Sequence, residues 1–146
     1  MKVEQTDILI IGAGAAGAAA AWNLSDSNLK IMCLEQGGNL NPEDYPSTKT
    51  DWESAKYGSH NVSPNKRNLK SDYPINDKNS PISIANFNAV GGSTILYSAH
   101  FPRFHPSDFK VKTLDGVADD WPLSYQDLNP YFNLNDKMMG VSGLSG

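Results

Sequence analysis

Apolar residues are spread unevenly along the chain. They crowd into residues 6–38, thin out through residues 39–80, and return with aromatic company in residues 81–146. In the first zone Asp7-Ile8-Leu9-Ile10-Ile11 carries a continuous apolar run, not an alternating one. Such β-branched and leucine runs mark strands buried on both faces of a parallel sheet. Gly12-Ala13-Gly14-Ala15-Ala16-Gly17 follows. Ala18 to Leu24 then reads as a helix, since alanine has the highest helical propensity. Ser25-Asp26-Ser27-Asn28 breaks that helix, and Leu29 to Leu34 reads as a second buried strand ending at Glu35. Gln36-Gly37-Gly38 turns the chain away. The order strand, helix, strand predicts an α/β fold opening on a Rossmann-like βαβ unit.

Residues 39–80 are rich in Asn, Asp, Ser, Lys and Pro and show little periodicity. A compact domain rarely holds about 40 residues of structureless loop. Trp52, Tyr57 and Tyr73 favour an extended excursion packed over a neighbour, because disordered segments are poor in aromatic residues. In the third zone Ile82 to Phe87 alternates in part and predicts a strand or extended segment. Val90-Gly91-Gly92-Ser93-Thr94 is a second glycine turn, with a short helix expected from Ile95 to Ala99. Ser124 stands three residues before Asp127, resembling a capping box, and predicts a helix over 124–139. Leu128, Tyr131, Phe132, Asn135, Met138 and Met139 fall at helical spacing and are expected to form its core stripe. Pro130 is expected to bend this helix or delay its start. Gly140 ends it.

Composition narrows the classes. The 146 residues suit one domain, and 39% hydrophobic with 19% charged residues suits a soluble globular chain. A net charge of -4 argues against nucleic-acid binding, which draws on a basic patch. No apolar run reaches the length of a membrane span, and the first residues lack a signal-peptide pattern, so a cytoplasmic location is the default, with the periplasm left open. Cys33 is the single cysteine, expected as a small buried hydrophobe rather than a catalytic thiol. Asn61-Val62-Ser63 matches a glycosylation sequon by chance. No metal site is assigned.

The chemistry lies in the glycine turns. Gly12 permits a tight turn out of the first strand, Gly14 lets the backbone approach a pyrophosphate, and Gly17 lets the helix pack closely on the strand. Ala13, Ala15 and Ala16 complete the loop, whose helix offers N–H groups and its positive dipole end to phosphates. Glu35 stands 18 positions after Gly17, where a carboxylate can accept from both ribose hydroxyls and repel a 2′-phosphate, disfavouring NADP. Gln36 follows it as a further candidate contact. This first loop alone does not separate FAD from NAD.

Together with this loop and Leu34 to Gly38, the segment Val90-Gly91-Gly92-Ser93-Thr94 resembles the glucose–methanol–choline family of FAD-dependent oxidoreductases. In that family the second glycine segment runs along the flavin. Adjacent glycines let a main chain lie near a flat ring, and Ser93 and Thr94 can hydrogen-bond phosphate or ring heteroatoms. Phe101 to Phe109, Asp119 to Tyr131 and Gly140 to Gly143 are similar to the branch holding gluconate and fructose dehydrogenases. There an Arg-Phe pair, an Asp-Phe pair, an Asp-Trp-Pro segment and a Gly-Val-Ser-Gly recur in this order. The resemblance implies FAD, and oxidation of a CH–OH group of an alcohol, sugar or sugar acid with hydride passing to flavin. Where some members carry a flavin-linked histidine, Leu96 and Tyr97 stand, so the flavin is expected to be non-covalent. His100 and His105 do not match that offset and read as loop residues.

Family members are several times longer, with a catalytic histidine and its His or Asn partner near the far C-terminus. The resemblance therefore implies an N-terminal portion of the FAD-binding domain, without the substrate domain and with no catalytic residue of its own. Its partners would be a small alcohol or sugar and an electron acceptor. The isolated chain is expected to be inactive and weakly stable, with few strands and open sheet edges. Two other readings stay open: an NAD-dependent Rossmann dehydrogenase, which would continue the strand–helix alternation after residue 38, and a non-catalytic nucleotide-binding module.

Overall fold

A computed structural model describes residues 3–45, 49–67, 69–73, 75–96 and 100–143, with the side chains of 55 and 56 excepted. The chain divides into two compact units, residues 1–98 and 99–146. In the first, strand β1 (Ile8–Ile11) pairs in parallel with β2 (Ile31–Leu34), Ile8 opposite Ile31 and Ile11 opposite Leu34. Helix α1 (Ala15–Leu24) makes the crossover and starts earlier than its alanine run suggested. The βαβ unit is therefore present, and the fold is Rossmann-like α/β with a small parallel sheet.

The sheet is not covered as the continuous apolar runs predicted. Ile8 and Ile10 are half-buried, with Ile10 on the side of α1, whereas Leu9 is exposed and Ile11 is 82% exposed. Cys33 and Leu34 are also exposed, which corrects the expectation of a buried cysteine. The physical reason is that, among the described elements, α1 provides the main packing on this two-stranded sheet and covers one of its faces.

The zone 39–80 is also less featureless than its sequence. A 3-10 turn (Pro42–Asp44), helix α2 (Trp52–Tyr57) and helix α3 (Pro64–Arg67) punctuate it. Its aromatic residues do not bury it, since Tyr57 is 84% exposed and Trp52 and Tyr73 lie at the surface. Among the described residues of the first unit, the buried ones are Pro64 and Arg67 within the zone, and Phe87 and Ala89 beyond it. Residues 82–87 form no strand. Gly92–Leu96 forms a 3-10 turn, earlier than the expected helix; Tyr97 to Ala99 lie outside the described residues.

The second unit is built from local order. A 3-10 turn (Pro106–Lys110) runs into α4 (Val111–Asp115), and α5 (Tyr125–Met139) follows. Ser124 caps α5: its hydroxyl accepts from the Asp127 N–H while the Asp127 carboxylate accepts from the Ser124 N–H. Gly140 ends α5 in the left-handed conformation, φ 68°. Pro130 sits inside the helix without delaying its start. The expected stripe is off by a rotation: Tyr131, Met138 and Met139 are exposed, while Tyr125, Leu128, Asn129, Phe132 and Asp136 form the more covered face. Phe109 is buried there among the rings of Phe104, Trp121 and Tyr125, with centroids 6.1 to 6.4 Å away.

Candidate nucleotide site

The first loop adopts the geometry its glycines permit. Gly12 has φ 94°, which lets the chain turn sharply out of β1. A Cβ on Gly17 would lie 1.9 Å from the Gly12 carbonyl oxygen, so α1 can approach β1 this closely only with glycine there. Gly14 is the N-cap of α1. It provides no side-chain cap, the first turn holds no acidic residue, and a Cβ on it would meet no protein atom within 4 Å. Ala15 and Ala16 lie exposed beside it. The loop therefore fits a phosphate group: an uncapped helix N-terminus beside open space, free of repelling charge.

Glu35 sits at the end of β2 and holds the loop. One carboxylate oxygen accepts from the Ala13 N–H at 2.6 Å, and the other from the Gly37 N–H at 2.8 Å. These bonds, Gly37 first and Ala13 second, hold Glu35 below the ordinary carboxylate pKa. Sequence reasoning missed this bracing role. Each oxygen retains a further lone pair, so the carboxylate can still accept a ribose hydroxyl. Gln36 is exposed next to it.

The second turn comes against the first loop. The Gly91 N–H donates to the Ala13 carbonyl at 2.8 Å, and Gly14 and Gly91 form a parallel bridge. Gly38 and Ala89 form another, with the Val90 N–H donating to the Gly38 carbonyl at 3.1 Å. Gly91 and Gly92 have φ of 97° and 61°, and a Cβ on Gly92 would stand 3.3 Å from the Gly14 Cα. These glycines thus serve backbone packing between the two turns. Ser93 accepts from the Phe87 N–H at 3.2 Å and keeps its own proton for donation. Thr94 donates its proton to the Gly91 carbonyl. Val90 is exposed beside the turn. The candidate residues from Gly12 to Gly17, Glu35 and Gln36, and Val90 to Thr94 therefore lie on turns and on the first turn of α1, gathered at the C-terminal ends of β1 and β2. Ligands bind at this end of open α/β sheets.

A side-chain cluster that no motif announced lies behind the second turn. Arg67 donates through Nε and Nη2 to the two carboxylate oxygens of Asp72, at 2.7 and 2.6 Å. Its Nη1 donates to the carbonyls of Asn61 and Asn86, at 2.7 and 2.9 Å. The guanidinium lies 4.5 Å from the Phe87 ring centroid. The Arg67 hydrogen bonds hold Asp72 below its usual carboxylate range. His60 stacks on the Phe87 ring, and its Nε2 is buried with no hydrogen-bond partner among the described residues. Burial first, then Lys49 and Arg67, push His60 below the ordinary imidazole pKa. Its spacing from the glycines gives no local signal; the arginine in a polar stretch was the one hint.

Comparison with known proteins agrees with this geometry. A family model described as an NAD(P)-binding Rossmann-like domain matches residues 10–73. The chain is 40% identical over 147 residues to a 2-methyl-1,2-propanediol dehydrogenase of Mycolicibacterium austroafricanum, covering 99% of this chain and 26% of that protein. It is 30% identical over 143 residues to a 6'''-hydroxyparomomycin C oxidase of Streptomyces lividus, covering 94% and 23%. It is 29% identical over 158 residues to the fructose dehydrogenase large subunit of Gluconobacter japonicus, covering 96% and 28%. The chain thus spans about a quarter of the length of these curated relatives. With both glycine turns joined at the ends of β1 and β2, the chain resembles, along nearly its whole length, one quarter of a set of relatives that are glucose–methanol–choline-type oxidoreductases.

Proposed function

We propose that this chain binds FAD, non-covalently, in an oxidoreductase that acts on a CH–OH group of an alcohol, sugar or sugar acid. The observation that carries the reading is the docking of Gly91 on Ala13, which adds a second glycine turn to a phosphate-ready first loop. When bound, FAD supplies the hydride acceptor. The chain's own residues bind and orient it. The α1 N-terminus takes the pyrophosphate, Glu35 accepts a ribose hydroxyl, and the Ser93 hydroxyl donates to a phosphate or ring heteroatom. The names of the relatives favour flavin, since they include both oxidases and dehydrogenases. Reduction of dioxygen is flavin chemistry and not nicotinamide chemistry.

A second reading is NAD, favoured by the description of the matching family model. Against it, no strand follows β2 among the described residues, where a dinucleotide fold of that kind would continue its alternation. Visible spectroscopy of the purified protein tests the choice. The FAD reading expects flavin absorption bands, and acid precipitation that leaves the yellow colour in the supernatant. Colourless protein that binds NAD sinks it.

A further inference from the structure

The second glycine turn is held by few regular bonds. Downstream, Val90 and Gly91 attach to Gly38 and Ala13. Upstream, the Asn86 N–H donates to the Val62 carbonyl at 2.9 Å, and the Phe87 N–H reaches Ser93. Between these anchors Ala89 is buried, and a Cβ on Gly37 would meet the Ala89 nitrogen at 2.2 Å, so the segment has no slack where it crosses Gly37. The position of the turn therefore depends on where residues 86–88 are placed.

Both partners of the buried ion pair grip that stretch. Arg67 donates to the Asn86 carbonyl, and Asp72 accepts from the Asn88 side-chain amide at 3.2 Å. The Phe87 ring between them faces the guanidinium. Side-chain exposure is 1% for Arg67 and 4% for Asp72, so the charges are desolvated but well partnered. A buried pair of this kind is a poor source of net stability compared with an apolar replacement, and its best-attested use is to fix geometry. The guanidinium makes four bonds here, to both oxygens of one carboxylate and to two carbonyls; an ammonium, with three donors on one atom, cannot make all four.

We propose that Arg67 is a positioning residue for the nucleotide site: through Asn86 to Asn88 it sets the second glycine turn at its working distance from the first loop. The inference rests on the FAD reading for its ligand, but its structural core does not. The test compares wild type with Arg67→Lys by amide hydrogen exchange on ligand-free protein and by fluorescence titration with FAD. Exchange over residues 87–92 is expected to speed up about tenfold, with β1 and β2 unchanged, and FAD affinity to fall about tenfold. Equal acceleration in the strands would make Arg67 a general stability residue and overturn the proposal, as would wild-type exchange at 87–92. Asn88→Ala, which removes one grip and leaves the ion pair intact, is expected to speed exchange in the same residues by a smaller factor. Unchanged exchange there overturns the proposal independently. Wild-type protein that takes up no FAD overturns the FAD reading, while the exchange data still decide the role of Arg67 in holding the turn.

Discussion

Arg67 and Arg103 perform similar chemistry in different settings. Each pairs with an aspartate, each is fixed by further amide or carbonyl oxygens, and each lies over a phenylalanine ring. Arg67 and Asp72 are sealed, with 1% and 4% of their side chains exposed. Arg103 and Asp136 keep 29% and 22%. Arg103 joins an irregular segment to one face of α5, where Asn129, Asn133 and Asp136 lie at helical spacing. Arg67 instead holds carbonyls of two irregular segments, at Asn61 and Asn86. The difference teaches that the first unit's site rests on turns with little regular structure beneath them. The second unit has a capped helix to lean on.

The largest test of that contrast is truncation of the two arginines. Arg67→Ala leaves Asp72 buried without its counter-charge and is expected to cost about 3–5 kcal/mol in urea unfolding. Arg103→Ala leaves Asp136 able to take water, and its loss should be clearly smaller. Equal losses would break the comparison. Next comes a pair of neighbouring glycines. Gly37→Ala drives a Cβ into the Ala89 backbone and should cost about 3 kcal/mol, releasing the second turn. At Gly38 a Cβ meets nothing within 4 Å, so Gly38→Ala should stay within about 0.5 kcal/mol. Thermal melts of the two variants decide whether close backbone approach, rather than glycine content, holds the turn.

How much of this was legible follows the same divide. The first loop could be read because each glycine's task is local: the turn at Gly12, the open cradle at Gly14, the packing at Gly17. The α5 boundaries could be read because Ser124, Asp127 and Gly140 act within a few residues of one another. The face of α5 could not, since Tyr131, Met138 and Met139 share helical spacing with Phe132 and the choice between them lies with Phe109 and Tyr125. Exposure of Ile11 and Cys33 was invisible because an apolar run encodes a capacity for burial and not the neighbour that provides it. The Arg67 cluster joins residues 61, 67, 72, 86 and 88, and no periodic pattern spans such separations. Glu35 was read as a ribose acceptor; its bonds to Ala13 and Gly37 were not, because they depend on how two turns meet.

A smaller effect is expected in the second unit. Ser124→Ala removes the acceptor for the Asp127 N–H and should lower stability by about 1 kcal/mol. Circular dichroism should show fraying at the start of α5 with no change in nucleotide affinity. A fall in affinity would show that the second unit's order supports the site as well.

The smallest effect expected is the dependence on mild acid, and it separates the units by chemistry. His60 faces the Phe87 ring and the field of Lys49 and Arg67, with Asp44 opposing them weakly. Its folded pKa lies below 6.5, so the unfolded chain binds more protons than the folded one between the two values. Its contribution to stability is therefore complete above 6.5 and is lost as pH falls through the depressed folded value. The shifted carboxylates of the second unit, Asp120 and Asp127, have folded values below 3.8 and lose their contribution only in stronger acid. Melting curves between about pH 7.5 and 5 should thus fall for wild type and fall less for His60→Phe, which keeps a ring against Phe87 but cannot be protonated. Protection at residues 87–92, taken relative to the intrinsic exchange rate at each pH, should fall with the same pH dependence, because protonation brings a second cation to the ring that Arg67 already faces. Parallel pH curves for the two proteins would remove His60 from the cluster's electrostatics and leave the Arg67–Asp72 pair to hold the second turn without it.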